Sequence, residues 1–162
     1  MQFELVDFDN RYASQIPLLY HLAVHGYQGD FYNQAQLQAW SARPRSVYHW
    51  RARLNRSRCW LALIEDKCVG FINVETHYHT RGYVDSLYVL PQYQGLGIAS
   101  ALVAKMESWA RAQGYIQLNV DASISSKPLF LRHGFSLHHK RYQQKRDQVI
   151  VGFAMVKQLE SS

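Results

Sequence analysis

The sequence predicts an α+β fold built on one mixed sheet, and three observations carry that prediction. The coarse order of apolar patterns reads β-α-α-β-β-β-α-β-α-β-β. The apolar period switches from helical spacing to strand spacing at Arg58. Residues 83–114, YVDSLYVL-PQYQGLG-IASALVAKMESWARAQG, read as a strand, a glycine-punctuated loop and a long amphipathic helix, and the other elements are arranged around them.

Taken in order, residues 3–8 alternate as a first strand. Asn10 or Ser14 is expected to cap a helix through Ile16, Leu19, Tyr20, Ala23 and Val24. An aromatic-rich connector, residues 25–32, leads to Asn33 as the cap of a short helix over residues 36–40. Pro44 interrupts the pattern, and Ser46 starts another helix with Val47, Trp50 and Leu54 on its apolar side. Residues 59–64 and 68–74 form a hairpin around Glu65-Asp66-Lys67. After the central unit come a strand over 115–121, a short helix over 126–133 closed by Gly134, and strands over 135–141 and 149–157. No repeat or linker interrupts the chain, so residues 1–162 read as one domain.

The central unit has the physics of an anion site. Tyr83, Val84, Leu87, Tyr88 and Val89 favour a pleated strand, and Pro91 ends its ladder. Gly95 and Gly97 let the chain turn sharply with its amides uncovered, at the positive end of the following helix. A nucleotide-triphosphate loop would need Lys-Ser/Thr after the last glycine, where Ile98-Ala99 stand. A dinucleotide fingerprint is approached by Gly95-x-Gly97-x-x-Ser100 with Asp121 at the end of the next strand, but too little chain follows to build its sheet.

The order strand, Pro, Gln92-x-x-Gly95-x-Gly97, Ile98, then small residues resembles the acetyl-CoA signature of the GNAT N-acetyltransferase superfamily, and specifically its bacterial stand-alone single-domain members. The block from Asp121 through Ser126-Lys127-Pro128-Leu129-Phe130 to Gly134-Phe135 extends the likeness, and His21-x-x-x-His25 and Leu37-x-x-Trp40 add a weaker match. The resemblance implies the acyl-CoA N-acetyltransferase fold: a mixed, mostly antiparallel central sheet of about seven strands, flanked by about four helices. It implies acetyl-CoA as co-substrate and direct acetyl transfer to a primary amine of a small molecule or peptide. Carried over residue by residue, Leu87, Tyr88 and Val89 hold the pantetheine arm with their backbone, and the amide near Val89 polarises the thioester carbonyl. Gln94, Gly95, Leu96, Gly97, Ile98, Ala99 and Ser100 wrap the pyrophosphate, and Phe130 packs the pantetheine.

Acetyl transfer requires an ammonium to lose a proton, an oxyanion to be stabilised and a thiolate to leave. Asp85 is expected as general base: period two places it on one side with Tyr83, Leu87 and Val89, among apolar neighbours that would raise its pKa. Glu75, His77 and His79 are alternatives. Many family members carry a tyrosine where Phe130 stands here, and phenylalanine has no proton to give. Tyr88, Tyr142 or water then serves as acid, or the thiolate leaves unassisted. A competing class is a catalytically inert acyl-CoA-binding or nucleic-acid-binding module on the same fold, motivated by Phe130 and the arginine cluster.

Composition bounds the partners. The formal charge of +6 suits a polyanionic co-substrate, and equally RNA or an acidic protein. Arg43, Arg45, Arg51, Arg53, Arg56 and Arg58, and later Lys140, Arg141, Lys145 and Arg146, read as solvated faces without any nucleic-acid motif. Cys59 and Cys68 read as small buried hydrophobes on neighbouring strands. His77-x-His79 and His21/His25 lack a third ligand, so no metal is expected. No apolar run suits a membrane, and the acidic start, MQFELVDFDNRY, does not suit a signal peptide. A cytoplasmic protein is expected, with room for a homodimer. The acceptor pocket is expected from the first two helices and the hairpin over 140–149.

Overall fold

In the computed structural model, which describes residues 2–159, seven strands form one sheet in the order β1-β2-β3-β4-β5-β7-β6. The strands are β1 (Glu4–Asp7), β2 (Ser57–Ile64), β3 (Lys67–Glu75), β4 (Tyr83–Val89), β5 (Gln117–Ala122), β6 (Ser136–Lys145) and β7 (Gln148–Gln158). Only β4 and β5 pair in parallel, because the helix between them carries the chain back across the sheet. Five helices flank it: α1 (Ile16–His25), α2 (Gln34–Trp40), α3 (Val47–Asn55), α4 (Ile98–Ala112) and α5 (Lys127–Arg132). Three helices precede β2, as the element-by-element reading expects with Pro44 between the second and third, one more than the coarse order counts. Among the described residues, no helix is long and apolar enough to cross a membrane.

Local chemistry explains most boundaries. Asn33 caps α2 with a reciprocal capping box to Gln36, and Ser46 caps α3 through the His49 amide. The expected cap of α1 differs. Asp9 instead caps a 3-10 segment over Asn10–Gln15, which runs into α1 with no side-chain cap, and Pro17 opens that helix. The β2–β3 hairpin turns on Glu65 and Asp66, both left-handed. Cys59 and Cys68 are buried and free; Cys59 faces Asn73 and Cys68 faces Leu63, so they do not oppose one another. The core lies between the sheet and its helices: Ile98, Leu102, Val103, Met106 and Ala110 of α4 pack one side, Ile16, Leu19, Trp50 and Leu54 the other.

Two irregularities shape the centre of the sheet. Asn73 pairs with Ser86 but Val74 pairs with Val84, so Asp85 is an extra residue in a β-bulge of β4. β4 and β5 pair only at Tyr83–Asn119 and Val84–Val120, and beyond these they part.

Candidate active site

Where β4 and β5 part, two cavities open and share Tyr32, Trp40, Leu87, Tyr88, Ser123 and Ser126. The larger, about 560 Å³, runs from the β4 end over Gln94 and Ala99 to Leu129 and Arg132. The smaller, about 190 Å³, lies against the bulge and is walled by α2, β5 and the β6–β7 hairpin.

The backbone facing the gap follows from the ladder. The Leu90 amide donates to the Val69 carbonyl at 2.8 Å, and the β3–β4 register holds from there to Asn73–Ser86. Bonded and unbonded pairs alternate in an antiparallel ladder, so Ser86 and Tyr88 spend their backbone groups on β3. Leu87 and Val89 therefore aim theirs at the gap, and the Val89 carbonyl accepts from Gln94 Nε2 at 3.2 Å. This alters the expectation for Tyr88: its ring, not its backbone, belongs to the cavities.

The loop beyond β4 is open. Gly95 and Gly97 have φ of +80° and +84°, and a Cβ on either would meet nothing within 4 Å. Gly97 precedes α4 without any side-chain cap, so the first amides of a 15-residue helix lack a partner beneath an uncovered surface. The Ile98 side chain is buried in the core, leaving only its amide to this surface. Ser100 Oγ lies 2.9 Å from His133 Nε2, so that hydroxyl is already engaged. Lys157 Nζ ties the same corner to Glu107 Oε1 and the His133 carbonyl, both at 2.6 Å. The Glu107 carboxyl is pulled up by burial but held below its usual range by hydrogen bonds from Lys157 and Arg111.

At the bulge, Asp85 is not among apolar neighbours as the alternation suggested. The extra residue breaks the period, and Asp85 Oδ2 takes Arg53 Nε at 2.6 Å and Asn73 Nδ2 at 3.3 Å. No hydrogen bond among the described residues occupies Oδ1. Arg53 also stacks over Trp50 at 4.8 Å, which fixes its guanidinium. Glu75 lies outside both cavities; burial and the Asp85 charge raise its pKa, against Arg53, Arg56 and His77. His77 and His79 are exposed on the loop after β3. His21 and His25 bond to Ser41 Oγ and its carbonyl at 2.8 and 2.7 Å, tying α1 to the end of α2. No group of three or more metal-ligating side chains occurs among the described residues.

The candidate acids separate. Tyr88 lines both cavities, with its ring edge-on to Tyr20 at 4.5 Å; burial and the Tyr20 hydroxyl hold its phenol well above the usual value. Tyr142 is 68% exposed and lines neither cavity. Strand alternation on β6 sends Gln143 and Lys145 to the cavity and Tyr142 away from it. Phe130 is buried against Phe135 and lines the smaller cavity with no hydroxyl.

Several further residues shape the site, although nothing in their local sequence pattern assigns them to acetyl transfer. Tyr32, from the aromatic connector, donates to the Val151 carbonyl at 2.7 Å and accepts from the Ile124 amide at 3.0 Å, clamping β7 to the loop after β5. Asp121 Oδ2 accepts from the Tyr83 hydroxyl at 3.1 Å, and Arg141 Nε stands 3.6 Å from Oδ1. The arginine cluster of 43–58 is not one basic face, since Arg53 serves the cavity and Arg58 pairs with Asp7 over Trp60.

Comparison with known proteins agrees with this geometry. Residues 20–135 match the model of the acetyltransferase (GNAT) family. The N-acetyltransferase YafP of Escherichia coli K12 is 32% identical over 87% of this chain and 86% of its own length. A GCN5-related N-acetyltransferase structure from Rhodopseudomonas palustris superposes with a TM-score of 0.88 at 23% identity, covering 98% of this chain and 97% of that one. The PaiA N-acetyltransferase of Thermoplasma acidophilum, solved with coenzyme A, does so at 0.75 and 14%, covering 98% of this chain and all of that one. The chain belongs to the acetyltransferase (GNAT) family and is an acetyl-CoA-dependent N-acetyltransferase.

Proposed function

We propose that the chain transfers the acetyl group of acetyl-CoA directly to a primary amine of a small molecule or peptide, with the donor in the larger cavity and the acceptor in the smaller. The observation that carries this reading is the parting of β4 from β5, with the backbone of Leu87 and Val89 facing the gap and leading into the open loop at Gly95 and Gly97. An extended amide-bearing arm can complete the unpaired edge of β4 as an added strand. A pyrophosphate suits the uncapped start of α4, and the backbone amides of Gly95, Leu96, Gly97, Ile98, Ala99 and Ser100 would hold it there. Gln94 lines the donor cavity, and Arg132 adds a cation at its far end.

Acetyl-CoA supplies an activated acyl carbon. Asp85, with Oδ1 free and Oδ2 held by Arg53 and Asn73, takes the proton of the incoming ammonium so that the amine can attack that carbon. The Val89 amide is positioned to stabilise the oxyanion. As the C–S bond breaks, the Tyr88 phenol, on the wall shared by both cavities, passes its proton to the departing sulfur and takes back the second proton of the acylated nitrogen, leaving a neutral amide, a thiol and the one net proton on Asp85. Phe130, in the wall of the smaller cavity, would keep that side apolar. Titration calorimetry with acetyl-CoA is expected to show one binding event, and thiol release is expected with an amine panel; folded protein that binds no acetyl-CoA at high micromolar concentration sinks the reading.

A further inference from the structure

The smaller cavity also states what kind of amine it can take. Its volume, about 190 Å³, is below the ~300–1,000 Å³ of sites for drug-sized ligands, so the acceptor is compact. Its walls are aromatic on one side, with Tyr20, Tyr32, Trp40 and Phe130. Its charges are Asp85, Asp121, Arg53 and Lys145.

These charges are not equivalent. Asp85 is paired with Arg53 at 2.6 Å, and Asp121 has the Tyr83 hydroxyl at 3.1 Å and Arg141 at 3.6 Å. Both carboxylates are thus largely spent on protein partners. On the hairpin wall, Lys145 makes no ion pair, and neither it nor the side chain of Gln143 makes a hydrogen bond among the described residues. A cavity for a polycation would leave carboxylates free and keep lysine out. This one has a single unspent carboxylate oxygen, Asp85 Oδ1, at the bulge and an unpaired ammonium on the β6–β7 hairpin.

We infer that the acceptor is a compact primary amine that also carries an anionic group, a carboxylate or a phosphate, with the amine at Asp85 and the anion toward Lys145 and Gln143. This rests on the proposed assignment of the smaller cavity to the acceptor. Lys145 is then a specificity-determining residue. It is exposed at the end of an edge strand, so its replacement does not threaten the fold.

The test is thiol release from acetyl-CoA with alanine, 2-aminoethyl phosphate, 1,4-diaminobutane and a C-terminally amidated tetrapeptide, for the unaltered protein and for Lys145→Glu. Alanine or 2-aminoethyl phosphate is expected to have the highest kcat/KM, and whichever leads identifies the anion. Lys145→Glu is expected to raise the KM of that acceptor about tenfold with little change in kcat, while the diamine gains or is unaffected. Preference for the diamine or the amidated peptide, or an unchanged KM for the anionic amine in Lys145→Glu, overturns the inference and leaves acetyl transfer standing. Release with none of these four amines but with another amine of the wider panel overturns the inference and leaves acetyl transfer standing; release with no amine of that panel, from protein that binds acetyl-CoA, overturns the transfer reading and this inference with it.

Discussion

Asp85 shows how one inserted residue makes a side chain available. In a regular strand it would fall on a fixed face, but the bulge releases it from the β3 register, and Arg53 and Asn73 then hold one oxygen and leave the other. Asp85→Asn keeps the shape and removes the proposed proton acceptor. It is expected to lower kcat by about 10²–10⁴-fold with acetyl-CoA affinity unchanged, read by steady-state kinetics beside calorimetry. Full activity in that variant would remove Asp85 as base. Residue identities were legible here in part. Asp85 and Phe130 stand out in the sequence by type and position, but the bulge depends on pairing with β3, which no local pattern records. Arg53, 32 residues before Asp85, becomes its partner only through the packing of α3. Tyr142 was a plausible acid by type and failed by parity, since neighbours on β6 face opposite ways.

At the scale of elements, the β4–loop–α4 unit was the most legible, because its apolar stripe, proline and glycines all act locally. β6 was the least. Its residues 142–145 extend past the expected end, and its polar edge carries no alternation to read. The loop supports a sharp prediction. Gly95 is left-handed with open space at its Cβ; any side chain is strained at this φ, but aspartate is among those that adopt the region most often, so Gly95→Asp is expected to fold with a modest loss of stability. Its carboxylate would stand where a pyrophosphate is proposed, and calorimetry is expected to show acetyl-CoA affinity reduced by at least about a hundredfold with the melting temperature within a few degrees. Retained affinity would exclude this loop as the phosphate site.

For the whole molecule, three histidines contribute a loss of stability as pH falls, while Glu75, raised mainly by burial, works in the opposite direction. The pKa values of His21, His49 and His133 are all lowered, each mainly by burial; His25 adds to this at His21, Arg45, Arg53 and Arg56 at His49, and Lys157 and Arg132 at His133. Asp85 and Glu107 oppose the shift at His49 and His133. With folded values below the ordinary 6.5, the unfolded chain takes up these protons first. Their contribution is therefore complete above pH 6.5 and declines as pH falls from there toward the lowered values. Urea midpoints are expected to fall between pH 7.5 and 5.5, and His133→Gln to flatten part of the slope; a midpoint independent of pH over this range, in both proteins, would contradict the assignment.

The cavities meet at Tyr32, Trp40, Leu87, Tyr88, Ser123 and Ser126, and that shared wall has a thermodynamic consequence. A donor lying along β4 would become part of the surface the acceptor touches, so the two ligands would be coupled through direct contact, with no conformational relay needed. Linkage makes such coupling reciprocal: whatever factor the donor adds to acceptor affinity, the acceptor returns to the donor. With that assignment of donor and acceptor, the same junction would make the empty protein a poor trap for free amines and reserve its selectivity for the loaded state.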